Sequence, residues 1–240
     1  MANHLPPKEV IEYVWKTGFI SKEMWRNYFF KGVSERSMLQ DWKNMIDRGY
    51  LQPHSNNHLM NILVLNRKNK FVMQMGEDYP AYAPNGSQLE HDQILLNGML
   101  ELNKMVLIEQ WQTEAQLKML RPNDFRVETQ GQKIKYPDVI LCSKNGNHLQ
   151  VVAIEYERHQ KSRKRYSKIL SSYATLKRVD AVIWIVNNLS IQNVIIEQAK
   201  QVYFPFKERP IAFVSEQTWK TNPEKLVTLA NEIIGTNRKK

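Results

Sequence analysis

The sequence predicts an α/β protein in two parts, a helix-rich front third and a longer rear part in which strands alternate with helices. Two observations carry this. Apolar residues recur at helical spacing up to Arg48, whereas short runs rich in Val, Ile and Trp follow Met105 with helical segments between the later ones. The character of the chain also changes near residue 70, and 240 residues suit two modest cores.

In the front third, Val10, Ile11, Val14 and Trp15 share a helical face from Pro7 to Trp15, with Pro7 suited to a first turn and Gly18 to a stop. Ser21 is suited to cap a second helix over Lys22–Phe30 that buries Met24, Trp25 and Tyr28. A third helix runs from Ser34 to Arg48 with Met38, Trp42, Met45 and Ile46 inward, and Gly49 ends it. Tyr50–Gln52 and Leu59–Leu65, either side of Ser55-Asn56-Asn57, read as a hairpin. Three helices and a hairpin are the parts of a winged helix-turn-helix over residues 1–75, whose third helix is of a size to enter a DNA major groove. Arg36, Ser37, Gln40, Lys43 and Asn44 would then face bases, and Arg67, with Lys68 and Lys70, phosphates. The competing reading is that these helices only pack and bind a protein. Residues 76–87, with Pro80 and Pro84 and no periodicity, form a connector.

Formal charge is +10 and the pI about 9.5, which favours polyanionic partners through counterion release. Cys142 stands alone, so neither an internal disulfide nor a thiolate zinc site can form within the chain. Met1–Val10 has no apolar signal core, and no stretch approaches the roughly 18 to 20 apolar residues of a membrane span. A cytoplasmic protein is expected.

The rear part, residues 88–240, opens with a helix over Leu89–Met105 carrying Ile94, Leu95, Met99, Leu102 and Met105 inward. Strands are predicted at Val106–Trp111, Lys135–Leu141, Leu149–Tyr156, Ala181–Val186 and Ile211–Val214, and helices at Arg163–Leu176, Ile191–Tyr203 and Pro223–Ile234. This order makes a mixed sheet covered by helices.

Its chemistry lies in acidic residues. The second of these strands carries Pro137-Asp138 and the third ends in Glu155-Tyr156-Glu157. Alternate residues of a strand share a face, so Glu155 and Glu157 project together and can approach Asp138 on the neighbouring strand. Three carboxylates so placed repel one another unless a cation or protons join them, and Mg²⁺ or Mn²⁺, hard ions that favour oxygen ligands, would satisfy them and could hold a phosphodiester. The basic run Lys161, Arg163, Lys164, Arg165, Lys168 follows directly, either a solvated helix face or a phosphate track. Tyr166 and Tyr173 on the same helix read as core residues or as stacking platforms for unpaired bases.

Pro137-Asp138 followed by Glu155-x-Glu157 resembles the PD-(D/E)XK nuclease fold of restriction endonucleases, with Glu157 at the position usually held by Lys and Lys161 a substitute for it. The longer arrangement, with Leu89-Glu90-His91-Asp92 opening a helix, Trp111-Gln112-Thr113-Glu114 on the following strand, Tyr136–Leu141, and Ala153–Glu157 before a basic helix, resembles the replication-relaxation family and is most similar to MobC-type relaxases of small mobilisable plasmids. The resemblance implies a bacterial, cytoplasmic endonuclease that binds double-stranded and locally single-stranded DNA at a plasmid transfer origin, nicks one strand with Mg²⁺ or Mn²⁺, and works with an accessory relaxosome protein and a coupling protein. It implies Asp138, Glu155 and Glu157 as metal-binding and catalytic, Lys161 as catalytic, and His91 and Glu114 as further ligands. Against this, Glu157 could simply pair with Arg158 or Lys161, and His91 could bond a helix N-terminus. Two other readings stay open: a catalytically inert DNA-binding accessory or transcriptional regulator, and a restriction-type enzyme that cuts both strands as a symmetric dimer.

Overall fold

The structure, a computed structural model, describes residues 7–54, 61–75, 88–104, 108, 110–120, 122–128, 134–145 and 148–237. The chain is mixed α and β and divides into two compact units, Met1–Asn97 and Gly98–Lys240. The division falls inside a helix, and the expected connector, residues 76–87, lies outside the described residues.

In the first unit, α1 (Pro7–Thr17) leads into a two-residue strand, β1 (Ile20–Ser21). Next come α2 (Lys22–Phe29) and α3 (Glu35–Asp47). Ser21 and Ser34 cap these two helices through their hydroxyls, accepting from Met24 N–H at 3.1 Å and Ser37 N–H at 3.3 Å. Gly49 takes φ 69°, the left-handed geometry of a helix stop. β2 (Leu51–Pro53) and β3 (Ile62–Leu65) pair antiparallel, as the hairpin expectation has it, and Ser55-Asn56-Asn57 falls outside the described residues. β3 also pairs with β1, giving sheet order β1-β3-β2. Two residues are too few to show any period, which is why β1 went unread. Lys70 does not extend the hairpin; it opens a short helix, α4 (Lys70–Met75), whose start Asn69 caps through Phe71 N–H at 3.0 Å.

α5 (Leu89–Lys104) crosses from one unit to the other. In the second unit β4 (Gln110–Thr113) is displaced towards the C-terminus from the predicted Val106–Trp111. α6 (Glu114–Leu120) follows at once, so Glu114 opens a helix instead of lying on a strand. After a 3-10 turn at Asn123–Phe125 come β5 (Val127–Glu128) and β6 (Ile134–Lys135), a small antiparallel pair that accounts for the front of the predicted Lys135–Leu141 strand. The long strands are β7 (Val139–Asn145) and β8 (His148–Glu157), then α7 (Arg163–Thr175), β9 (Ala181–Val186), α8 (Leu189–Gln201), β10 (Ile211–Ser215), α9 (Glu216–Thr221) and α10 (Glu224–Asn237).

The main sheet has order β10-β9-β8-β7-β4, with β8, β9 and β10 parallel and β4, β7 and β8 antiparallel. Every residue of β9 is buried, as expected of a strand covered on both faces. Val182, Trp184 and Val186 join one core cluster with Tyr166, Ile169, Leu170 and Tyr173 of α7 and with Ile191 and Ile195 of α8, while Ile183 and Ile185 are buried on the other face. In α7 the four inward residues follow helical spacing from Tyr166 to Tyr173. Gly98 is a close-approach position: a Cβ there would overlap the Trp219 indole. Among the described residues no helix is long and apolar enough to cross a membrane.

Candidate active site

The register of the sheet brings the two central acids together. Val139 opens β7 opposite Ile154 of β8, so Asp138, one residue earlier, comes level with Glu155. Asp138 therefore precedes its strand instead of lying within it. This bend frees its carboxylate to reach the β8 backbone, where Oδ2 accepts the Tyr156 N–H at 2.8 Å. Its own carbonyl accepts the Glu114 N–H at 2.9 Å, which joins the start of α6 to the same corner.

Glu155 lines up with Trp184 across the parallel β8–β9 pair and so sits on the face covered by α7. It is fully buried, and Glu157, two residues on, is 2% exposed. A buried carboxylate costs several kcal/mol unless donors surround it. Glu155 has two. Tyr173 of α7 donates its hydroxyl to Oε1 at 2.5 Å, and the ammonium of Lys135, from β6, is bonded to Oε2. The same ammonium lies 3.6 Å from Asp138 Oδ1.

Three carboxylates meeting at one point were expected, and the structure arranges them differently. Asp138 and Glu155 share Lys135, Glu157 is paired with Lys161, and Glu114 is paired with Lys118 at 2.8 Å. Among the described residues no three Asp, Glu, His or Cys side chains form a group that could hold a metal. Lys161 stands beside Glu157, and the cation at the two central acids is Lys135. Lys135 and the hydroxyl of Tyr173 are the groups the sequence reading missed. The available signal was the need itself: a lysine three positions before Asp138, where facing acids require a cation.

The ionisation of the cluster follows from burial and these pairings. Burial pushes the Glu155 carboxyl up to about 7, with Lys135 pulling it back. Glu157 is raised by burial and held down in part by Lys161 and Lys135. Glu114 is raised by burial and by Asp138, against Lys118 and Lys135. Burial would lower Lys135, but the carboxylates of Asp138, Glu155, Glu157 and Glu114 outweigh it and keep the ammonium charged beyond the usual lysine range. Burial also pushes the Tyr166 hydroxyl up to about 12 and raises the Tyr173 hydroxyl well above the ordinary tyrosine range, with Glu157 and Glu155 respectively adding to it.

The remaining predicted residues are dispersed. Arg163, Lys164 and Arg165 are exposed on the first turn of α7, Lys168 is half-buried, and Arg163 pairs with Glu197 of α8 at 2.9 Å. In the first unit Arg36, Gln40 and Lys43 are exposed on α3, while Ser37 and Asn44 are half-buried. Gln40 donates to Asn44 at 3.1 Å. Arg67 is exposed in the turn after β3. His91 Nδ1 lies 2.9 Å from Asp92 Oδ1 on α5, within the first unit. Comparison with family models, with curated proteins and with solved structures gives no match.

Proposed function

We propose that this chain is a metal-dependent DNA endonuclease of the relaxase type, which binds a plasmid transfer origin and nicks one of its strands. One observation carries the reading: Asp138 Oδ1, from the residue before β7, and Glu155 Oε2, from β8, reach the same cationic atom. Two carboxylates already directed at one positive charge are a donor set of the kind a hard ion favours, all oxygen and with no sulfur or imidazole. Mg²⁺ or Mn²⁺ bound there would neutralise phosphate charge and lower the pKa of an attacking water. The protein's own residues do the positioning. The Tyr156 N–H fixes Asp138, Tyr173 fixes Glu155, and Lys161 neutralises Glu157. Lys164 and Arg165, exposed at the start of α7, offer charge to a phosphate backbone.

The first unit fits the reading as a winged helix-turn-helix, with elements in the order α1, β1, α2, α3, β2, β3 and a polar α3 surface of Arg36, Gln40 and Lys43 that would face duplex DNA. An accessory relaxosome protein and a coupling protein would act beside it in the cytoplasm of a bacterium.

The test is nicking of a supercoiled plasmid carrying its own origin with Mg²⁺ or Mn²⁺. Open circles should accumulate with wild type and vanish with Asp138→Ala, while DNA binding is retained. Supercoils left intact at all metal concentrations would refute the reading. A second reading, a catalytically inert DNA-binding accessory or regulator, is favoured by the lysines already seated on Glu155 and Glu157. It expects wild type and Asp138→Ala to bind DNA equally and neither to nick. Linear products in place of open circles would point instead to a restriction-type enzyme.

A further inference from the structure

Each outer acid of the cluster has its own lysine, Glu157 with Lys161 and Glu114 with Lys118. Asp138 and Glu155 share Lys135, which reaches them from a different strand pair. Lys135 is 12% exposed, Asp138 11% and Glu155 not at all, so Lys135 and Asp138 are the members of the group that reach solvent. A divalent ion bound to the same two oxygens would stand next to that ammonium, and like charges at such range repel strongly away from bulk water. A lysine carries its charge on a flexible four-carbon stem and can withdraw it towards solvent without moving the backbone.

We infer that Lys135 is a resident counter-ion: its ammonium holds the position between Asp138 and Glu155 in the metal-free protein, and a divalent cation gains these two carboxylates only by displacing it. The inference rests on the metal reading above. It makes Lys135 a positioning residue that keeps the two acids together until the ion arrives and sets how tightly that ion is held. A lysine that stayed in place alongside the metal would also oppose it by charge, so what separates the two is whether the ammonium leaves its position as the ion binds.

Mn²⁺ titration of the full-length protein, followed by the electron spin resonance signal of the free ion, reads this without any DNA. Lys135→Met should bind Mn²⁺ roughly tenfold more tightly or better than wild type, about 1.4 kcal/mol or more at 25 °C. Lys135→Arg, which keeps the charge, should stay near wild type, and adding Asp138→Asn to Lys135→Met should abolish the gain. Equal or weaker binding by Lys135→Met, with wild-type binding still dependent on Asp138, overturns the counter-ion and leaves the metal site standing. No binding by either protein at millimolar Mn²⁺ overturns both. Should Lys135→Met fail to fold, wild type labelled with ¹³C at lysine Cε answers the same question. Added Mg²⁺ should move the signal that is missing from Lys135→Arg, and a signal that stays fixed while Mg²⁺ binds overturns the proposal.

Discussion

The two units use charge in different ways. In the first, the lysine and arginine ion pairs among the described residues lie on the surface: Arg26 and Glu35 meet at 3.0 Å with their side chains 57% and 69% exposed, and Lys8 and Glu12 at 3.7 Å are similarly open. The second also has surface pairs, Arg163 with Glu197 among them, but adds a group the first does not show among the described residues: Lys135, Asp138 and Glu155 are enclosed behind α7, where the acids would be costly without the lysine. Exposed pairs contribute little to stability because water and salt screen them, whereas a buried network is strongly destabilised when one member is removed. The difference teaches where a charge constrains the fold and where it serves only encounter and solubility.

Three measurements sharpen this contrast, all on metal-free protein in chelator. Lys135→Met should have the largest effect, lowering unfolding free energy by about 3 to 5 kcal/mol in urea titrations near pH 8, because two enclosed carboxylates lose their shared cation. A loss no greater than that of a surface mutation would erase the distinction between the units. Next in size is a pH effect. The Glu155 carboxyl is raised from its usual 4.5 to about 7, so the folded protein holds a proton there that the unfolded chain has released. This contribution is fully present below about 4.5 and is lost as pH rises towards 7, with a slope of at most about 1.4 kcal/mol per pH unit. Glu155→Gln, which does not titrate, should show a flatter stability profile than wild type between those values, and identical profiles would place the titration elsewhere. Smallest of all, Arg26→Ala should change stability by no more than about 1 kcal/mol, and by less still in molar salt.

Legibility in the sequence followed the same divide. α1, α2 and α3 could be read because each has several apolar residues at helical spacing, and Ser21 caps α2 as expected. β9 was read to the residue because a strand buried on both faces is a continuous apolar run. α6 and α9, with seven and six residues, are too short to show a period, and β5 and β6 have two residues each. Of the site, the approach of Asp138 to Glu155 was visible in the motif spacing because strand pairing is a local rule. Lys135 was not, since a lysine on a short strand reads as solvated until a fold turns it inward. Tyr173 was half legible: its ring belongs to the α7 core, and its hydroxyl finds Glu155 only through the packing of that helix across β8 and β9.

α7 has one more consequence, for the order in which the chain is made. It links the parallel strands β8 and β9, and the hydroxyl that closes over Glu155 comes from its last turns. On the ribosome Lys135, Asp138 and Glu155 therefore emerge before Tyr173, and the strand that flanks Glu155 emerges later still. A chain ending just past Glu157 would hold an acidic pair next to open water, with β7 on one side but neither α7 above nor β9 on the other, and the dry surroundings that set the character of these acids would arise only when the crossover is complete.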